Sequence, residues 1–259
     1  AKVLTTRMWW VIALVMVGYV ALTAGGLAFS FGATDAGGLG GGSAGGGFAG
    51  LIYGFATSIG YVFPVLVGAL SVTGEYRHQT VTPTFLAVPR RGVALGAKFA
   101  VQCGLGAFYG VLAFIGTVGA GALALAAFGL DTELGSSSTW LMILRGIVAM
   151  ALWCAIGVGL GALVRNQVAA IVIVIAFTQF IEPVLRLVSM LAPVTQGIGQ
   201  FLPGAASDSL VGGSFYALTG AMGTAPASLD WWQGGLVLLA YAALATIGGY
   251  RLSWRKDVT

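Results

Sequence analysis

Of the 259 residues, 58% are hydrophobic and only 8% are charged, with a mean hydropathy of +0.95. A water-soluble domain carries roughly 25% charged residues because it needs a hydrated skin. The missing skin argues against a separate soluble domain and makes the bilayer the natural solvent. The net charge is +4 and the pI about 9.3, but the basic residues stand at the ends of apolar runs. That distribution speaks against a nucleic-acid partner.

The first apolar run covers 8–31, behind Lys2 and Arg7. It exceeds the about 7–15 apolar residues of a signal-peptide core, and Phe31-Gly32-Ala33 is a poor cleavage site, so a retained span is expected. A Gly-rich segment, 35–50, reads as a flexible loop. The second span is predicted at 51–72, followed by the longest polar stretch, 73–91. The third apolar run, 92–128, is too long for one straight crossing, so part of it is expected to tilt or lie in the interface.

An acidic, serine-rich turn at 131–138 precedes a fourth span at 139–164. The polar Arg165-Asn166-Gln167 leads into a fifth span at 168–182, closing at Glu182-Pro183. Residues 184–230, broken by Pro193, Gly197, Pro203, Gly212 and Pro226, suit short re-entrant or surface helices. The last span is predicted at 231–252. Continuous apolar runs exclude the alternating pattern of a membrane barrel. The fold class expected is an all-α integral membrane protein, one transmembrane domain of six spans over 1–259.

Charge orients it. With the N-terminus inside, Lys2, Arg7, Arg77, Arg90, Arg91, Lys98, Arg165, Arg251, Arg255 and Lys256 fall on the inner side. These are ten of the twelve basic residues, leaving Arg145 and Arg186 outside. Asp35, Asp131, Glu133, Glu182, Asp208 and Asp230 also fall outside. The positive-inside rule then places both termini in the cytoplasm. Trp9, Trp10 and Trp254 mark the inner boundary, and Trp140, Trp231 and Trp232 the outer one, with Trp153 inside a span.

Polar residues within the spans are few: Gln102, Thr178 and Gln179, which suit helix–helix hydrogen bonds or a pathway. Glu182 lies about 25 Å beyond Arg165 at the helical rise, near the outer hydrocarbon edge. Arg186, four residues on, is placed to pair with it, as a structural ion pair or as part of an external gate. Gly157, Gly159 and Gly161, and likewise Gly106 and Gly110, fit close helix packing within the chain. Cys103 and Cys154 read as small core residues.

Lys2, Lys98 and Lys256 are followed by Val3, Phe99 and Asp257, so no phosphate-binding loop can form and the chain itself binds no ATP. One histidine, His78, excludes a His-rich metal cluster, and no catalytic set can be assembled around it. No enzyme activity, cofactor or metal is expected in the chain. Thr73 is placed to cap a short helix with Glu75 in its first turn, ended by Pro83. It would present Glu75, Tyr76, Arg77, His78 and Thr80 to the cytoplasm, as a docking surface or as an ordinary solvated turn. Arg91 and Lys98, seven apart on one face, are set to snorkel toward headgroups.

Glu75-Tyr76-Arg77-His78-Gln79-Thr80, then Leu86, Pro89-Arg90-Arg91 and Lys98, resemble the cytoplasmic signature of membrane subunits of type-2 ABC (ATP-binding-cassette) transporters. Leu163-Val164-Arg165-Asn166-Gln167-Val168-Ala169-Ala170, and Glu182 followed by Pro203-Gly204-Ala205-Ala206, are similar to later landmarks of that family. The opening Lys2-Val3-Leu4-Thr5-Thr6-Arg7 is similar to its N-terminal segment. Gln79 stands where a glycine is often found.

The resemblance implies six spans, a second permease subunit, and a separate ABC ATPase subunit carrying ATP and magnesium. It makes Glu75, Tyr76, Arg77, His78, Gln79 and Thr80 the coupling helix, with Arg90, Arg91, Lys98 and Arg165 as a basic cytoplasmic hinge. The expected setting is a bacterial cytoplasmic membrane, among lipids. The expected role is export of an amphipathic small molecule such as a drug, antibiotic, peptide or lipid. The alternatives are a scaffold or immunity-type subunit that transports nothing, and an ion-coupled secondary transporter with Glu182 as carrier.

Overall fold

The computed structural model describes residues 8–36, 48–77, 91–164, 166–191, 197–213 and 229–254. Among them every regular element is a helix, as a chain in hydrocarbon requires when each backbone donor must find an acceptor in its own segment. Six stretches are long and apolar enough to cross a membrane: Trp9–Ala33, Ala49–Arg77, Leu95–Ala127, Ser137–Leu163, Gln167–Ser189 and Trp231–Leu252. The protein is therefore a multi-pass helical membrane protein by length and composition of its helices.

Helix α1 spans Met8–Ala36 and runs parallel to α4, Arg91–Ala127. Tyr109 donates to the Trp9 carbonyl, Gly116 faces Val17, and Gly32 lies against the Phe128 ring. Helix α4 is one unbroken helix of 37 residues, about 55 Å at the helical rise. Its first turns project beyond the start of α1. The excess length expected of the third span therefore sits at one end of a continuous helix, on the side that carries Lys98.

The second span is two helices, α2 Phe48–Ser58 and α3 Val62–Arg77, joined by a turn at 59–61. It extends beyond the predicted 51–72. Thr73 caps nothing: it lies inside α3, buried, and its hydroxyl donates back to the Ala69 carbonyl at 2.9 Å. The chain remains helical through Arg77, with Gly74 carried inside the helix, so residues 73–77, expected to begin a short separate helix, are instead part of α3. His78, Gln79, Thr80 and Arg90 lie outside the described residues, as do the Gly-rich residues 37–47.

Helix α5, Ser137–Leu163, is the centre of the bundle. It packs parallel to α3, antiparallel to α4, and parallel to α9, Trp231–Gly249. Glycines make the α3–α5 approach possible. A Cβ on Gly157 would collide with the Val65 carbonyl, and one on Gly68 with the Cys154 carbonyl. The expected glycine surface of the fourth span thus serves packing within the chain. Gly106 similarly brings α4 against Met150, Ala151 and Cys154. Gln102 is buried there and accepts from the Cys154 thiol at 3.7 Å. Cys103 and Cys154 are free thiols.

The fifth span departs most from expectation. Asn166 caps α6, Gln167–Ala176, its side chain accepting from the Val168 and Ala169 amides at 2.9 and 3.3 Å. The helix does not stop at Glu182-Pro183. It widens into a π-helical turn, Phe177–Ile181, and continues as α7, Glu182–Leu191. Pro183 supplies the reason: its ring would crowd the carbonyl four residues back, and an i→i−5 turn gives it room. The Glu182 amide accordingly donates to the Phe177 carbonyl.

In that register the Thr178 carbonyl would pair with the amide of residue 183, which proline lacks. Tyr61 fills the vacancy, its hydroxyl donating to the Thr178 carbonyl at 3.1 Å. Tyr61 is itself held by stacking on Trp153, with ring centroids 4.4 Å apart. Tyr61→Phe should destabilise the purified protein by about 1–3 kcal/mol, the cost of an orphaned buried carbonyl. In a Pro183→Ala background, which restores an N–H, the loss should be much smaller. A double-mutant cycle on thermal unfolding checks this, and additive effects would contradict it.

Candidate functional site

Polar groups gather at the two ends of the bundle. At the first, the Lys98 ammonium lies 2.7 Å from the Glu75 carboxylate and donates to the Ser71 carbonyl at 3.1 Å. The end of α3 is thereby tied to the start of α4. Arg77 is exposed and reaches the Gln167 side chain at 3.3 Å, across to the start of α6. Tyr76 and Tyr250 pack against a small apolar cluster of Val72, Leu95, Val158 and Ala162.

Of the three described members of the expected outward row, Glu75 and Tyr76 are only partly exposed. Glu75 turns sideways to Lys98 and Tyr76 turns onto the bundle, because both remain on faces of a continuous helix. Arg77 alone of the three is exposed. Lys98 is held by Glu75 at this end of the bundle, 17% of its side chain exposed, in place of a free reach to headgroups. Arg165 lies outside the described residues, and of Arg91 only the backbone, at the helix start, is described.

At the opposite end Glu182 and Arg186 form the expected ion pair, 3.0 Å apart. Both are buried, Glu182 1% and Arg186 8% exposed. Sequence reading missed the third member. Asp208, on the short helix α8, Pro203–Val211, takes the other side of the guanidinium at 2.6 Å. It also accepts from the Ser58 hydroxyl at 3.3 Å, which ties the end of α2 into the cluster.

Gly204 makes the cluster possible. Its amide, at the start of α8, donates to Glu182 Oε1, and a Cβ there would collide with both Glu182 and Arg186. Next along, Ser207 accepts from the Trp153 indole at 3.1 Å. The triad is thus continuous with the Tyr61–Trp153 stack that supports the π turn. The signal that could have found Asp208 was Pro203-Gly204, a helix start with a side-chain-free residue, followed four residues on by a lone acid.

This end also carries the turn before α5, where Tyr53 donates to the Thr132 carbonyl at 2.8 Å and Trp140 to the Leu134 carbonyl at 3.0 Å. The Arg145 guanidinium sits 4.6 Å over the Trp231 ring. Trp140, Trp231 and Trp232 are exposed, as membrane-interface tryptophans are. Among the described residues no group of acids, histidines and cysteines is arranged to hold a metal. Comparison of the chain with protein-family models and with curated proteins returned no match.

Two carboxylates around one buried guanidinium are stable only as a set. Arg186→Met, which leaves Asp208 buried without a counter-charge and Glu182 without its side-chain donor, should cost about 3–5 kcal/mol. It should read as a large drop in the thermal midpoint, or as loss of folded protein. Replacing Glu182, Arg186 and Asp208 together by Leu, Met and Leu should recover most of that loss.

Proposed function

We propose that this chain is the membrane-spanning permease subunit of an ATP-driven ABC exporter, moving an amphipathic small molecule out of the cell. On this reading the end with Glu75, Lys98 and Arg77 faces the cytoplasm, following the excess of basic residues there. A separate ATPase subunit docks on it, and a second permease subunit completes the pathway. The setting is a bacterial cytoplasmic membrane.

The observation that carries the reading is the Glu75–Lys98 bridge, inside the segment whose residues resemble the type-2 signature. A force applied at Arg77 and beyond would act through that bridge on two spans at once. Lys98, grouped above with a basic hinge, is here the tie between those spans. The apolar span surfaces suit an amphipathic or lipid-like cargo better than a sugar or an ion. One observation favours the secondary-transporter alternative: Glu182 is ionisable and buried within a span, where such groups often mark ion paths.

The tagged chain, purified from its own membrane, should retain a separate nucleotide-hydrolysing subunit and have no ATPase activity alone. Changing Arg77 and His78 to alanine should weaken that association by tenfold or more, roughly the loss of one good charged contact. Lys98→Met should leave association nearly intact but uncouple ATP hydrolysis from cargo. Gradient-driven transport in ATP-depleted vesicles would contradict the proposal and favour the alternative.

A further inference from the structure

The two oxygens of the Glu182 carboxylate are treated unequally. Oε1 accepts from Arg186 Nε at 3.2 Å, from Arg186 Nη2 at 3.0 Å, and from the Gly204 amide. Oε2 is buried and has no hydrogen-bond partner among the described residues. An anionic oxygen without a donor, away from water, is among the most costly groups a fold can hold. Among the described residues it is the one such feature at this end that the packing leaves unanswered.

The charged and titratable groups facing Glu182 do not answer it. Arg186, from its own helix, is engaged with Oε1 and with Asp208. Asp208, from α8, repeats the negative charge. Tyr241, from α9, is within electrostatic reach, but its hydroxyl donates to the Phe201 carbonyl at 3.2 Å. With every group in its usual charged form, two carboxylates share one guanidinium and a net charge of −1 remains. A site of that kind needs one more positive charge.

Size selects which. Oε2 exposes less than 1 Å². A water, a metal ion or an ammonium needs volume of its own beside the oxygen, and none is open to it. A proton needs none.

The geometry points to Oε2 of Glu182 as a proton-binding site, occupied while α7 and α8 are closed on each other. The step is an O–H bond formed with a proton taken from water. The bond breaks and the proton returns to water when the two helices part and the carboxylate is hydrated. With the proton bound, Arg186 and Asp208 form a neutral pair and the cluster carries no net charge. The site follows from this packing alone and stands or falls apart from the exporter reading.

Infrared spectroscopy of the purified full chain in lipid nanodiscs at neutral pH tests it. A carbonyl band of a protonated carboxylic acid is expected. It should shift when glutamate, but not aspartate, carries a ¹³C carboxyl label, which narrows it to Glu75, Glu133 or Glu182. It should vanish in Glu182→Gln, which keeps the side-chain shape and an acceptor for Arg186, and persist in Asp208→Asn. If Glu182→Gln fails to fold, Glu75→Gln and Glu133→Gln decide instead: the band should persist in each, and its loss in either would overturn the assignment. Absence of the band, its response to the aspartate label instead, or its survival in Glu182→Gln would overturn the assignment.

Discussion

Inside a bilayer no water is present to take a stray donor or acceptor, so each polar group must be answered from within the chain. The fifth span shows how far that constraint reaches. Pro183 removes one amide and crowds one carbonyl. A π turn relieves the crowding, Tyr61 replaces the missing donor, Trp153 braces Tyr61, and Ser207 takes the Trp153 N–H. Four elements far apart in the chain are held in place by the consequences of one proline.

The same constraint shapes the charged residues. Glu182, Arg186 and Asp208 are tolerated because Gly204 lets the start of α8 come close enough to donate an amide into the cluster. At the other end Lys98 is held by a carboxylate and a carbonyl together. Between the ends the spans meet through glycines and small residues, since apolar surface gains nothing by leaving lipid for another helix. Close backbone approach, as at Gly157 and Gly68, is then the main source of helix–helix affinity.

Much of this was legible in the sequence, and the limits have physical causes. Span number, the Glu182–Arg186 pair and the glycine surface of α5 follow from composition and helical spacing. The ends of elements were less legible. Pro183 reads as a stop when only the missing amide is counted, whereas a buried tyrosine over a hundred residues away can supply the donor. Thr73 reads as a cap when only its type is considered, but a hydroxyl inside a helix can bond back to its own turn. Asp208 could not be assigned because its partner is set by the fold of the 184–230 region, where hydropathy is mixed. The orientation of Glu75 and Tyr76 likewise depended on whether α3 ended before them.

Two ends of different chemistry follow, one tied by Glu75 and Lys98, the other closed by a buried triad. The function proposed needs them on opposite sides of the membrane, the first facing the cytoplasm. Cysteines placed at Arg77 and at Ser137, one at a time in a chain whose Cys103 and Cys154 are replaced by alanine, test that directly. A membrane-impermeant maleimide added to intact cells should label the cysteine at 137, and label that at 77 only after permeabilisation. Labelling of both from the same side would contradict the transmembrane arrangement, and the reverse pattern would contradict its orientation.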